Sequence, residues 1–138
     1  VYLNAIKDPG NLGAIIRTML AFGFSNLVVD EFCADIYNPK TLASTKNAIF
    51  KINIFRDKNF EFLKSSQQKI YSSVVNEGES IKDLRPEKNY VIIIGSESHG
   101  VDKEILKLSN KKLNIQINKD IESLNASIAT AIILYQLS

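Results

Sequence analysis

The sequence predicts an α/β fold with a mainly parallel sheet covered by helices on both faces. Three observations carry this. Short β-branched runs alternate with stretches of helical apolar spacing along the whole chain. The first 29 residues read strand, helix, strand, the βαβ unit from which parallel sheets are built. The run VIII at 91–94 has no polar alternation, which suits a central parallel strand buried on both sides. At 138 residues and 45% apolar content, the chain fits one domain with a proper hydrophobic core.

In order along the chain, VYLNAI (1–6) reads as a strand. A D-P-G turn then opens NLGAIIRTMLAFG (11–23), whose apolar spacing predicts a helix, and NLVV (26–29) is the next strand. PKTLASTKNA (39–48) predicts a short helix with proline in its first turn, KINIF (51–55) a strand, and KNFEFLKSS (58–66) a helix. KIYSSVV (69–75) follows as a strand and NEGESIKDLRPEKN as a polar loop. After VIII, DKEILKLS (102–109) predicts a helix and KLNIQI (112–117) a strand with outward polar residues. SLNASIATAIILYQLS closes the chain as a helix that carries no charge from Ser123 to Ser138. No internal repeat, low-complexity tract or linker interrupts this order.

Seventeen basic against fifteen acidic residues leave a formal net charge of +2, so no global charge imbalance imposes a nucleic-acid or membrane role. A role in RNA binding has to be argued from sites. The single cysteine, Cys33, excludes an intramolecular disulfide framework and a multi-cysteine zinc site, and it fits a reducing cytoplasm. No apolar run has the length of a membrane span, and no basic start followed by an apolar core suggests a signal peptide. These features predict a soluble, cytoplasmic protein. A strand-like run begins at once from Val1, an opening that fits a domain cut from a longer chain with an N-terminal partner domain.

Arg17 is the only charge between Asp8 and Asp30. On the predicted helix its neighbours four residues away are Gly13 and Ala21, with Ala14 three residues before, so little bulk surrounds it. It either snorkels to a surface carboxylate or meets an anion, to which the planar guanidinium fork is matched. Asn11, at the start of that helix, reads as an N-cap or as a partner with Arg17 in holding a phosphate at the helix N-terminus.

VIIIGSESHGV (91–101) places a glycine-bounded loop directly after the most buried strand, where open α/β sheets bind ligands. Neither G-x-G-x-x-G nor G-x-x-x-x-G-K-[ST] occurs, so dinucleotide-fold and phosphate-loop classes lose support. Ser98 comes within one residue of a G-x-S-x-G nucleophile elbow, which keeps a serine hydrolase in view. The only histidine, His99, is its immediate neighbour, whereas a triad base arrives from a distant loop. Glu97 is either a solvated loop carboxylate or a holder of an arginine or substrate hydroxyl. Ser123, Asn125 and Ser127 cluster at the start of the last helix, as caps or as hydrogen-bond partners beside a pocket.

Taken together, N-L-G-A-I-I-R-T, I-I-G-S-E-S-H-G and I-Q-I-N-K-D-I-E-S-L-N-A-S, in this order and spacing, resemble the three motifs of the SpoU (TrmH-like) branch of the SPOUT methyltransferases. The resemblance covers essentially the whole chain. It implies an S-adenosylmethionine-dependent RNA 2′-O-methyltransferase acting on tRNA or rRNA, a homodimer, and a deep C-terminal trefoil knot, a feature otherwise nearly absent from protein folds. It also implies that residues 1–138 are a catalytic domain to which an N-terminal RNA-binding domain can be joined. Position by position, Arg17 resembles the family's catalytic arginine and Asn11 the asparagine that helps arrange the substrate. Glu97 resembles the glutamate of G-x-E-x-x-G, and Ser123 and Asn125 the polar pair of S-L-N. Gly95, Ile115 and Leu124 fall where the family holds the cofactor, mostly through backbone groups, and the loop after Val75 is a further wall. The departure is at Ile115-Gln116-Ile117-Asn118-Lys119, where the family has I-P-M-x-G, so that lysine stands at a customary glycine. A left-handed backbone there would be costly for lysine and would weaken cofactor binding.

The implied chemistry is an in-line displacement of a methyl group by a ribose 2′-oxygen, which needs alignment and the loss of one proton, and no metal. A guanidinium keeps its proton well above neutral pH, so Arg17 is expected to bind the adjacent phosphate and stabilise the developing alkoxide rather than act as a base. The alternatives are a binding-only RNA module of the same fold, against which intact Asn11, Arg17, Glu97 and Asn125 argue, and the serine hydrolase.

Overall fold

The computed structural model describes residues 1–138. Seven strands form one sheet: β1 (Tyr2–Asn4), β2 (Asn26–Asp30), β3 (Asn53–Asp57), β4 (Lys69–Ser73), β5 (Glu79–Ser80), β6 (Tyr90–Gly95) and β7 (Lys111–Asn114). Their spatial order is β3-β2-β1-β6-β4-β7-β5, and every pairing is parallel. Five helices connect them: α1 (Pro9–Ala21), α2 (Pro39–Thr45), α3 (Glu61–Ser65), α4 (Lys103–Leu108) and α5 (Ala126–Leu137).

The VIII run lies on β6 at the middle of the sheet, and its side chains alternate between two cores. Ile92 and Ile94 join Leu12, Ile15, Ile16 and Met19 of α1 and Ile133 and Leu134 of α5 on one face. Val91 and Ile93 join Leu63 of α3 and Ile105 of α4 on the other. A strand covered on both faces has no solvent side to carry polar residues, which explains the unbroken apolar run.

Helix α1 begins earlier than the apolar pattern predicts. Asp8 is its N-cap, accepting the Asn11 N–H at 2.8 Å, and Pro9 fills the first turn, where its missing N–H costs nothing. Asn11 is therefore inside the helix, with its side chain not used for capping. Gly23, at φ 80°, ends the helix in the left-handed conformation that glycine tolerates. α1 and α2 touch backbone to side chain at Gly13, where a Cβ would lie 2.6 Å from the Thr41 carbonyl oxygen.

Other elements differ from expectation: β7 stops at Asn114, short of the predicted 112–117 strand, and α5 starts only at Ala126 because Asn125 caps it. α3 is short because Asn59 and Phe60 both take left-handed backbone (φ 52° and 59°) and helix begins only at Glu61. The loop at 76–89 contains a strand, β5, and a 3-10 turn at Ile81–Asp83. β7 inserts between β4 and β5, which are consecutive in sequence. The connection 74–78 must then cross β7, and it does so at close range: a Cβ on Gly78 would sit 3.0 Å from both Asn114 N and Leu113 C. No helix is long and apolar enough to cross a membrane.

Candidate active site

The carboxyl ends of β6, β4 and β7 open onto a cleft of about 380 Å³, within the range of small-molecule sites. Its floor is the loop after β6. Ser96 and Gly100 pair across this loop, with Gly100 N–H donating to Ser96 O at 2.8 Å and Ser96 N–H to Gly100 O at 3.2 Å. Gly95 allows this closure, since a Cβ there would lie 2.1 Å from the Gly100 carbonyl carbon. Ile115 and Leu124 form apolar walls with Ile117 and Ile133, and Val74 and Val75 close one side. Gly95, Ile115, Leu124 and Ser123 thus all line the same cleft.

Lys119 does not distort the loop. It is exposed and lies outside the left-handed region, in a turn that Asn118 closes by accepting the Ile121 N–H on its carbonyl at 3.1 Å and the Asp120 N–H on its side chain at 3.0 Å. The lysine therefore meets no backbone conformation that would require glycine.

Beside the cleft three side chains meet. Glu97 Oε1 accepts from Asn11 Nδ2 in a short bond, from Asn125 Nδ2 at 3.4 Å and from the Ala126 N–H at 3.3 Å. Asn125 Nδ2 also donates to Asn11 Oδ1 at 3.0 Å, which closes the triangle. Each member comes from a different element: Asn11 from the first turns of α1, Glu97 from the β6 loop, Asn125 from the N-cap of α5. Asn125 Oδ1 caps α5 by accepting from Ser127 N–H at 2.9 Å and Ile128 N–H at 3.3 Å, and it also takes the Ser127 hydroxyl at 2.6 Å. The cap thereby orients the carboxamide toward Asn11. Ser123 lies on the exposed approach to the cleft and does not join the triangle.

Arg17 is elsewhere. Six residues after Asn11, it is displaced by about 9 Å along α1 and about 120° around it. It is exposed, and it makes no hydrogen bond or ion pair within the chain. The surface-carboxylate partner considered for it is absent. Next to Asn11, the Asp8 carboxyl is held below the usual range first by the Asn11 N–H and then by Lys40, whose Nζ lies 3.1 Å away.

The hydrolase arrangement is incomplete. Ser98 Oγ lies 2.6 Å from His99 Nδ1, but no carboxylate meets the other imidazole nitrogen, so the acid that orients a triad base is missing. Cys33 is a packing residue whose thiol is pushed up to about 12, by burial first and by Asp30 second. The residues missed at the level of sequence are Asn4 and Asp30, polar side chains that close apolar strands and are 3% and 5% exposed. The only signal for them was a polar residue at the end of an apolar run.

A parallel sheet with a small-molecule cleft at its carboxyl edge, and beside it a carboxylate holding two carboxamides together, places the chain in the α/β methyltransferase class of the solved structures it matches. The chain belongs to the SpoU rRNA methylase family, whose model matches residues 1–135. It is 33% identical, over 98% of its length, to a 23S rRNA (guanosine(2553)-2′-O)-methyltransferase of Bacillus subtilis, of which it covers 56%. A 23S rRNA (adenosine(1067)-2′-O)-methyltransferase of Streptomyces azureus is 27% identical over 99% of the chain, which covers 52% of it. Among solved structures, an AdoMet-bound rRNA methyltransferase from Sinorhizobium meliloti superposes with a TM-score of 0.92 at 27% identity, covering 98% of this chain and 53% of that one. The chain thus spans about half the length of the curated relatives it matches.

Proposed function

We propose that residues 1–138 are the catalytic domain of an S-adenosylmethionine-dependent 2′-O-ribose methyltransferase that acts on rRNA or tRNA in the cytoplasm. The observation that carries this is the Asn11–Glu97–Asn125 triangle at the side of a cleft that fits the cofactor. The fit is chemical as well as volumetric. Aliphatic walls from Ile115, Ile117 and Leu124 suit an adenine, and the Gly95–Gly100 turn brings main-chain groups close because Gly95 has no Cβ. Gly95, Ile115 and Leu124 would hold the cofactor, with Val74 and Val75 as the outer wall. When bound, the sulfonium supplies an electrophilic methyl group.

The chain's own residues align the other reactant. Glu97 fixes both carboxamides, so Asn11 and Asn125 present a preset hydrogen-bonding edge to the ribose and need not reorganise. Arg17 binds the phosphate beside the target ribose and offsets the charge that develops on the 2′-oxygen, while the proton leaves through phosphate or water. An arginine with no partner in its own chain is available for that task.

The same placement supports a homodimer. Ile128, Ile132 and Tyr135 form an exposed apolar stripe along α5 at 52%, 38% and 69% exposure. Phe22 meets Tyr135 edge-on at 5.8 Å and ties α1 to α5. Arg17 is exposed on α1, which packs beside α5, and a two-fold partner seated on these helices would give it an anion to meet at the other subunit's site.

The test is methyl transfer from labelled S-adenosylmethionine to unmodified 23S rRNA and to bulk tRNA, read as a nucleotide linkage resistant to alkali. Label at a 2′-oxygen of either RNA is expected. Label on a base, or none on any RNA from a folded, cofactor-binding chain, contradicts the proposal.

A further inference from the structure

Each of the first three strands ends in a buried polar residue: Asn4 on β1, Asp30 on β2 and Asp57 on β3, at 3%, 5% and 6% exposure. A buried carboxylate without a cation beside it must be surrounded by hydrogen-bond donors. Asp30 is. Its Oδ2 takes the Asn4 Nδ2–H at 2.7 Å, the Ala5 N–H lies 3.1 Å from both oxygens, and the Phe32 N–H is 3.0 Å from Oδ1. Because an ionised carboxylate only accepts, the Asn4 amide must turn its nitrogen to Asp30 and its oxygen outward. That oxygen accepts the Asp102 N–H at 2.7 Å.

This geometry ties together the two segments that build the site. Asn4 stands opposite Gly95 in the β1–β6 ladder, so loop 96–101 is pinned at one end through Gly95 and at the other through Asp102, both to Asn4. Ala5 sits at φ 56°, a conformation disfavoured for alanine, where the chain turns toward Asp8 and Asn11, and the bonds from its N–H to Asp30 hold it there. The loop with Glu97 and the segment leading to Asn11 therefore rest on one buried base.

We infer that Asn4 and Asp30 are a positioning pair, whose polarised chain from Asp30 through the Asn4 carboxamide to the Asp102 N–H sets loop 96–101 against the start of α1. It thereby places Glu97 on Asn11 and shapes the cofactor cleft. The inference rests on the reading of that cleft as an S-adenosylmethionine site. The titratable groups facing the pair are Tyr2 on β1, Asp57 on β3, Cys33 after β2 and Asp102 before α4. Burial raises the Tyr2 hydroxyl, which also donates to Asp57, and pushes Cys33 to about 12, so neither changes charge near neutral pH.

The test is calorimetric affinity for S-adenosylhomocysteine, measured on the unmodified chain, Asn4→Asp, Asp30→Asn and the double swap, each at a temperature below its melting transition. Asp30→Asn sets two amide donors face to face and Asn4→Asp two carboxylates, and each is expected to weaken binding about tenfold at pH 8. The swap restores donor against acceptor, with the Asp102 N–H still accepted, and affinity returns to within about threefold. The Asn4→Asp deficit shrinks as the pH falls toward about 5, because one proton shared between the carboxylates rebuilds the bond. A purely structural pair would lower melting temperatures without this pattern. Single variants that bind as the unmodified chain does, or a folded swap no better than the singles, overturn the inference. If the unmodified chain binds no S-adenosylhomocysteine, the functional reading fails instead. Amide exchange at Asp102 then decides: it must quicken in Asp30→Asn and recover in the swap, and unchanged exchange rejects the pair.

Discussion

Glu97 shows how much a single acceptor can organise. One oxygen gathers three donors from two distant segments, Asn11 of α1 and Asn125 with the Ala126 N–H at the start of α5. Arg17, by contrast, has no partner in its own chain, and the proposal gives it a substrate anion. Arg17→Lys is expected to leave S-adenosylmethionine affinity unchanged while turnover falls about a hundredfold or more, since a point charge loses the bidentate fork. Paired calorimetry and single-turnover methyl transfer check this, and near-normal turnover would defeat the assigned role. Asp8 adds a pH dependence. Its carboxyl is held below its ordinary value by the Asn11 N–H and Lys40, so the stabilising contribution is fully present above the ordinary carboxylate range and is lost as pH falls through the lowered folded value. A lower protection of the Asn11 amide relative to its intrinsic exchange rate on acidification, with no such change in Asp8→Ala because that variant is already uncapped, is the expected signature.

At the scale of elements, the tightest constraint is the loop after β6. Gly95→Ala places a Cβ against the Gly100 and Val101 backbone, which cannot move aside as a side-chain end could. The variant is expected to lose cofactor binding and to be destabilised by about 1–3 kcal/mol in urea unfolding, as for other overpacked sites. Unaltered stability and affinity would show that the loop is looser than described. The central strand, both outer helices α1 and α5, and the parallel alternation were legible in the sequence because burial imposes apolar spacing. β5 was not, because Glu79 and Ser80 carry no alternation and the strand exists only because β7 runs beside it. The cap of α1 was misplaced by the apolar pattern, which starts at Leu12, whereas the hydrogen-bond start is set by Asp8 and Pro9. Motif spacing made Glu97, Asn11 and Asn125 legible as candidates. Their mutual contact was not, since it depends on three loops meeting across 86 and 28 residues of sequence.

At the scale of the whole molecule, the exposed apolar stripe of α5 is proposed as half of a symmetric interface. Ile132→Glu puts a charge in the middle of that stripe and is expected to convert a micromolar dimer to monomer by light scattering, with methyl transfer lost and folding retained. A monodisperse monomer of the unmodified chain would count against the dimer. The central claim, however, is the cleft. It is tested most directly by calorimetric titration of the purified chain with S-adenosylmethionine, with S-adenosylhomocysteine as competitor. The account predicts saturable binding of about one equivalent per chain, displaced by the competitor and lost in Gly95→Ala. A folded, dimeric chain that takes up neither ligand would contradict it.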